Sequence, residues 1–221
     1  PNPQQLGAAQ ALRERMHGRL VFCAASTREG EEPIVLAAWK QLCAQWDGPR
    51  PLLLLVPRHP QRFDEVAAQA GDAGLSVLRR SAAGADAGWP QSFVTALEGA
   101  DVLLGDSMGE MAFYYALSDL ALIGGSLKPL GGQNLIEAAA VGVPVVFGPH
   151  MFNFAQASRD ALAAGAAMQI DANSQALAVA AARLLADPAA RMRMAAAARG
   201  FAGAHQGATQ RTVAAIAHWL A

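Results

Sequence analysis

The stretch IGGSLKPLGGQNLIEAAAVGVPVVFGPHMFNF, residues 123–154, passes from an apolar strand end through two glycine pairs into an alanine-rich helix, then into a second short strand and a polar loop. Strand, glycine-rich turn, helix and strand in that order describe a βαβ unit, and hence a parallel sheet. A glycine-rich strand-to-helix crossing lets backbone N–H groups and a helix N-terminus come close to an anion. A nucleotide phosphate is therefore the first ligand to test.

Outward from this unit the same alternation continues. Pro51 opens the run Leu52-Leu-Leu-Leu-Val56, whose unbroken apolar character marks a strand buried on both faces. Further strands are expected at residues 19–25, 75–78, 101–104, 120–123 and 167–170, with helices at 4–16, 61–70, 155–164, from Asn173 to about residue 186, and from Pro188 to about residue 204. A C-terminal helix is expected over 207–221. Ser26 with Glu29, and Ser107 with Glu110, have capping-box spacing ahead of two more helices, the first containing Val35, Trp39 and Leu42. Residues 80–90, RSAAGADAGWP, carry neither period and read as a mobile loop. With no fixed repeat and no internal linker, residues 1–221 form a single Rossmann-like, doubly wound α/β domain.

Composition limits the possible functions. The chain has 221 residues, 53% of them apolar, ample for one large core. Its 17 basic and 18 acidic residues leave a net charge of −1, which argues against a nucleic-acid footprint or a polybasic membrane patch, so any phosphate recognition must be local. Cys23 and Cys43 lack a CxxC pattern and are read as buried apolar thiols in a reducing compartment. The apolar runs are too short to cross a bilayer, no signal peptide is expected, and the start Pro1-Asn2-Pro3 is read as that of a fragment or processed product.

Ligands of doubly wound sheets lie at the carboxyl ends of the strands. Four such segments carry unusual polar chemistry: AASTREGEE (24–32), VPRHPQRF (56–63), GDSMGEM (105–111) and the opening stretch. Arg58 offers a five-donor fork to phosphate or carboxylate, or is a solvated turn residue. His59 either joins it or caps the next helix. Gly105, Ser107, Gly109 and Glu110 form either a phosphate- or base-binding turn or an ordinary capped helix, and Met108 lies either on a pyrimidine ring or in the core. Gly124, Gly125 and Ser126 form a tight turn with or without an anion. Asn134 and Glu137 share one face of a helix; the first is an N-cap or a ligand contact, the second the best single candidate. Lys128, His150 and Asn153 stand near the same crevice, Phe152 and Phe154 line or anchor its loop, and Arg191, Arg193 and Arg199 read as a solvated helix face. No DxD or acidic cluster marks a metal, and neither GxGxxG nor GxxxxGK[ST] occurs.

Taken in order, the four segments closely resemble the C-terminal half of the bacterial 3-deoxy-D-manno-octulosonic acid (Kdo) transferases, glycosyltransferase family 30. The likeness covers nearly the whole chain. It implies a GT-B enzyme whose C-terminal domain holds CMP-Kdo, while an N-terminal domain, absent here, holds the lipid A precursor and the general base. It further implies lipopolysaccharide biosynthesis at the cytoplasmic face of the inner membrane, a soluble fragment that binds donor without turnover, and no metal or other cofactor. The donor-binding set is then Ser26, Thr27, Arg58, His59, Gly105, Ser107, Met108, Gly109, Glu110, Gly124, Gly125, Ser126, Asn134, Glu137 and Asn153, with Glu137 on the ribose. Gln133 and Arg28 stand where family members often have His, so a proton-transfer role at position 133 is not expected. Two other readings stay open: a GT-B enzyme or epimerase using a UDP or GDP sugar, and a non-catalytic nucleotide-binding module.

Overall fold

The computed structural model describes residues 1–84 and 89–205. They form a seven-stranded, wholly parallel sheet in the order β3-β4-β2-β1-β5-β6-β7. The strands are β1 (Val21–Thr27), β2 (Leu52–Pro57), β3 (Val77–Arg79), β4 (Val102–Leu104), β5 (Leu120–Ile123), β6 (Val145–Phe147) and β7 (Ala167–Gln169). The helices are α1 (Pro3–Arg15), α2 (Glu32–Ala44), α3 (Phe63–Asp72), α4 (Gln91–Gly99), α5 (Met111–Leu117), α6 (Leu135–Val141), α7 (Ala155–Ala163), α8 (Ser174–Ala186) and α9 (Pro188–His205).

Period-two alternation sorts the core into two layers. Cys23, Ala25, Leu52, Leu54, Leu103, Ala121, Ile123 and Val145 point to one face, covered by α1, α4, α5, α6, α7 and α9. Phe22, Ala24, Leu53, Leu55, Val102, Leu104, Leu122 and Val146 point to the other, under α2, α3 and α8. Every residue of β2 is buried, as its unbroken apolar run requires. From β1 the chain builds outward through β2, then returns past it and continues on the far side through β5. The switch point therefore lies between β1 and β5, and their carboxyl ends open a crevice there.

Asn134 and Asn173 cap α6 and α8 by accepting the amides of Ile136 and Ala176. Neither capping box forms. Ser26 sits at φ 56°, in a bulge of β1, and α2 begins only after Glu31 without a side-chain cap. The Ser107 hydroxyl meets side chains rather than a backbone amide. Helix α4 is an element not expected from the sequence; it directly follows the aperiodic stretch, and its Phe93, Val94 and Leu97 carry a helical spacing and are buried. Within residues 80–90, Arg80 lies over the Trp89 ring at 4.9 Å and Trp89 packs on Phe93 and Phe113. Residues 85–88 and the expected helix at 207–221 fall outside the described residues.

Cys23 is fully buried, and burial pushes its thiol up to about 12. A thiolate is the reactive form. Cys23 is therefore expected to resist alkylation in the native protein at pH 8 and to react on unfolding, a difference that mass spectrometry after iodoacetamide labelling reads directly. Cys43 is half-buried rather than buried, with its thiol also raised by burial.

Candidate functional site at the switch point

The crevice floor is built from backbone. Gly124 donates to the Ala25 carbonyl at 2.8 Å, and a Cβ on Gly124 would stand 2.2 Å from the Ser26 carbonyl oxygen. Only a residue without a side chain permits that approach of β5 to β1. Ser126 is fully buried. Its hydroxyl donates to the Ile123 carbonyl at 2.5 Å and accepts the Gly148 amide at 2.8 Å, so the expected ligand-facing hydroxyl is instead a tie between β5 and the end of β6.

Two consecutive glutamates hold the neighbouring loops. The buried Glu31 carboxylate accepts the amides of Gly125 (2.7 Å), Arg28 (2.8 Å) and Leu127 (2.9 Å). Burial raises its carboxyl above the usual range, against the pull of those amides and with a further push from Glu32. Two amides of the glycine-rich turn, those of Gly125 and Leu127, are thus taken by the protein's own carboxylate. Glu32 faces the opposite way and forms a buried two-pronged pair with Arg62, at 2.7 and 3.0 Å. Arg62 also reaches Glu65, and these carboxylates raise its guanidinium above its ordinary value, Glu32 foremost. Glu31, Glu32 and Arg62 were not among the site-building residues expected from the sequence; for the two glutamates the available signal was the Gly30-Glu31-Glu32 triplet leading into a helix.

At the β2 end, Arg58 donates its amide to the Thr27 carbonyl at 3.0 Å, while its exposed guanidinium has no partner among the described residues. His59 is half-buried, and its carbonyl accepts the Arg62 amide. Thr27 is fully buried with its hydroxyl unpartnered among the described residues. Lys128 reaches toward the β1 loop, its Cε 3.5 Å from where a Cβ on Gly30 would stand.

The β4 loop is braced from beneath. Ser107 hydrogen-bonds Glu110 and, at 2.5 Å, the Tyr114 hydroxyl, while Glu110 pairs with Arg80 at 2.9 Å. Burial raises the Tyr114 phenol, so it stays protonated. Gly105 is buried, and a Cβ there would stand 2.8 Å from the Val56 side chain and 2.9 Å from the Tyr114 ring. Ser107, Glu110 and Gly105 therefore shape the loop from below. Met108 is 60% exposed, which removes its core-filling alternative. Gln5, from the far end of the chain, donates to the Gly109 carbonyl at 2.7 Å; its 104-residue separation left no signal in the sequence.

Asn134 caps α6 and donates to Glu137 at 3.0 Å, so both of its side-chain functions are structural. Glu137 remains exposed and borders a cleft of about 500 Å³ with Gln5, Gly109, Met111, Tyr115 and Ala140. Asn153 is exposed at the β6 end, its side chain packed against Gly131 and its amide donating to the Gly131 carbonyl at 3.0 Å. Phe152 is 62% exposed and Phe154 packs on the core. Among the basic residues of α9, Arg191 donates to the Leu184 carbonyl at 2.9 Å and Arg199 packs against Gly142, so these two are not merely solvated. Among the described residues no group of His, Cys, Asp and Glu is placed to hold a metal ion, and no helix is long and apolar enough to cross a membrane.

The α/β fold itself is shared with larger solved proteins. WaaG, a glycosyltransferase involved in lipopolysaccharide biosynthesis, aligns over 92% of this chain and 48% of its own with a TM-score of 0.54; at 15% identity this is likeness of fold alone. The architecture is that of one half of a GT-B glycosyltransferase. No family model matches the chain. The crystal structure of the C-terminal CMP-Kdo binding domain of WaaA from Acinetobacter baumannii aligns over 90% of this chain and 97% of that one, with a TM-score of 0.77 and 31% identity. The 3-deoxy-D-manno-octulosonic acid transferase of Bordetella pertussis is 53% identical over 204 residues, covering 92% of this chain, and that of Haemophilus influenzae is 35% identical over 202 residues, covering 91%. The chain belongs to the 3-deoxy-D-manno-octulosonic acid transferase family, and it spans about 45% of the length of these two relatives.

Proposed function

We propose that this chain is the donor half of a Kdo transferase, binding CMP-Kdo for transfer to a lipid A precursor. The observation that carries the reading is its alignment to nearly all of a domain described as CMP-Kdo binding. The geometry is consistent with it. The cleft beside Glu137 suits a nucleoside, with Glu137 accepting from ribose hydroxyls and exposed Met108 beside the pyrimidine. Arg58 is unpaired and meets the phosphate or the Kdo carboxylate through charge-assisted hydrogen bonds.

In the complete enzyme this half contributes positioning and leaving-group stabilisation. Arg58 offsets the charge that develops on departing CMP, and no metal ion takes part. The acceptor groove, the general base and contact with the cytoplasmic face of the inner membrane belong to the remainder of the protein. This chain alone binds donor without turnover.

Titration calorimetry tests the reading. CMP is expected to bind more tightly than UMP or GMP, equally well with and without EDTA, and Glu137→Ala is expected to weaken CMP roughly tenfold, the loss of one or two hydrogen bonds to a charged group. A preference for UMP would overturn the donor assignment in favour of a UDP-sugar enzyme.

A further inference from the structure

Glu31 occupies a position where a ligand would be expected. A buried carboxylate is costly unless fully hydrogen-bonded, and this one is bonded by three backbone amides from two loops, at 2.7 to 2.9 Å. Two of those amides, Gly125 and Leu127, belong to the strand-to-helix turn at the switch point, where doubly wound domains commonly present N–H groups to a bound anion. Glu31 therefore fills the innermost anion position from within. It also fixes that turn, from which Lys128 reaches across, to the β1 loop that carries Gly30. The same turn packs onto the next glycine pair: Gly132 donates to the Gly125 carbonyl at 2.8 Å, and Gly131 accepts from Asn153. A shift of the Gly125 amide would be passed along that sequence of contacts to the crevice wall.

We propose that Glu31 is a positioning residue for the phosphate end of the donor: touching no ligand itself, it holds the β5 turn in the shape that the phosphate meets. The inference rests on the CMP reading given above. Its charge is that of an anion already in place, so the ligand's own charge is left to the cations above the floor, the exposed Arg58 and the half-buried Lys128. Replacement by glutamine keeps the size and substitutes an NH2 donor for one of the two acceptor oxygens, which sets donor against donor at Gly125 and Arg28 or at Leu127.

The test compares CMP with cytidine, which lacks the phosphate, on the wild-type chain and on the Glu31→Gln and Glu31→Asp variants. Calorimetry is run at a temperature where circular dichroism shows each variant folded. Glu31→Gln is expected to weaken CMP at least tenfold and cytidine less than threefold, with Glu31→Asp, which keeps the charge, in between. A folded Glu31→Gln variant with an unchanged ratio of CMP to cytidine affinity would overturn the proposal, because a merely structural role lowers thermal stability and leaves that ratio alone. A second arm needs no substitution. In the wild type, amide hydrogen exchange at Gly125 and Leu127 is expected to slow with CMP and not with cytidine, and equal exchange in both would also overturn it. Failure of the wild type to bind CMP defeats instead the donor reading on which this inference rests.

Discussion

Gly124→Ala is expected to lower the stability of the chain by about 3 kcal/mol, the upper part of the usual range for overpacking, and to abolish CMP binding in whatever folded protein remains. The added Cβ would stand 2.2 Å from the Ser26 carbonyl oxygen, 2.5 Å from its carbon and 2.7 Å from the Thr27 nitrogen. All three are backbone atoms of β1, so no side-chain rotation relieves the contact. Relief requires β5 to move away from β1, and the Gly124 amide to leave the Ala25 carbonyl, at the point where the crevice opens. For a domain of this size such a loss corresponds to a fall of roughly 6–12 °C in melting temperature, measured by calorimetry or circular dichroism. Gly200→Ala supplies the control. A Cβ there meets nothing within 4 Å, and the position lies inside α9, so the melting temperature should hold or rise slightly. Equal behaviour of the two variants would refute the packing argument.

Removal of Arg62 from the Arg62–Glu32 pair is expected to cost about 3–5 kcal/mol, because the carboxylate left behind is buried and unpaired. Glu32 is fully buried, and its two oxygens meet the Arg62 guanidinium at 2.7 and 3.0 Å. Arg62→Ala also frees the turn carrying Arg58 and His59 from α2, since the Arg62 side chain ties the turn to Glu32 of that helix, while the backbone bond from the Arg62 amide to the His59 carbonyl is kept. A double-mutant cycle separates the pair from the rest. Arg62→Met combined with Glu32→Leu should recover most of the stability lost in either single change, because two apolar side chains of similar volume leave no orphaned charge. It should not recover CMP affinity to the same extent if the pair aims Arg58. Strictly additive losses in the denaturation midpoints would show that the two side chains act independently.

These expectations rest on features of different legibility. The parallel sheet was readable because burial on both faces demands apolar residues at every position, and Leu52 to Val56 supplies them without interruption. The convergence of four strand-end loops followed from the rule that parallel strands present their carboxyl ends to one side. The N-caps at Asn134 and Asn173 were readable because the reach from side chain to amide is local. The two expected capping boxes depended on the direction in which the chain leaves a strand, and spacing carries no record of it. Ser26 turns into the left-handed region, and Ser107 is drawn toward Tyr114, seven residues on.

The sequence alone determined the doubly wound architecture, the side of the sheet on which the site lies, and the set of polar residues available there, since these depend on periodicity and on the order of strands and turns. Tertiary structure decided which of those polar groups are consumed by the fold and which stay free for a ligand. Ser126, Glu31, Glu32 and Glu110 are engaged by groups 22, 94 and 96, 30, and 30 residues distant respectively, whereas the Arg58 guanidinium has no partner among the described residues. The physical reason is that a buried polar group must find a partner wherever the packed chain brings one, and that pairing is set by three-dimensional proximity, to which sequence separation is blind.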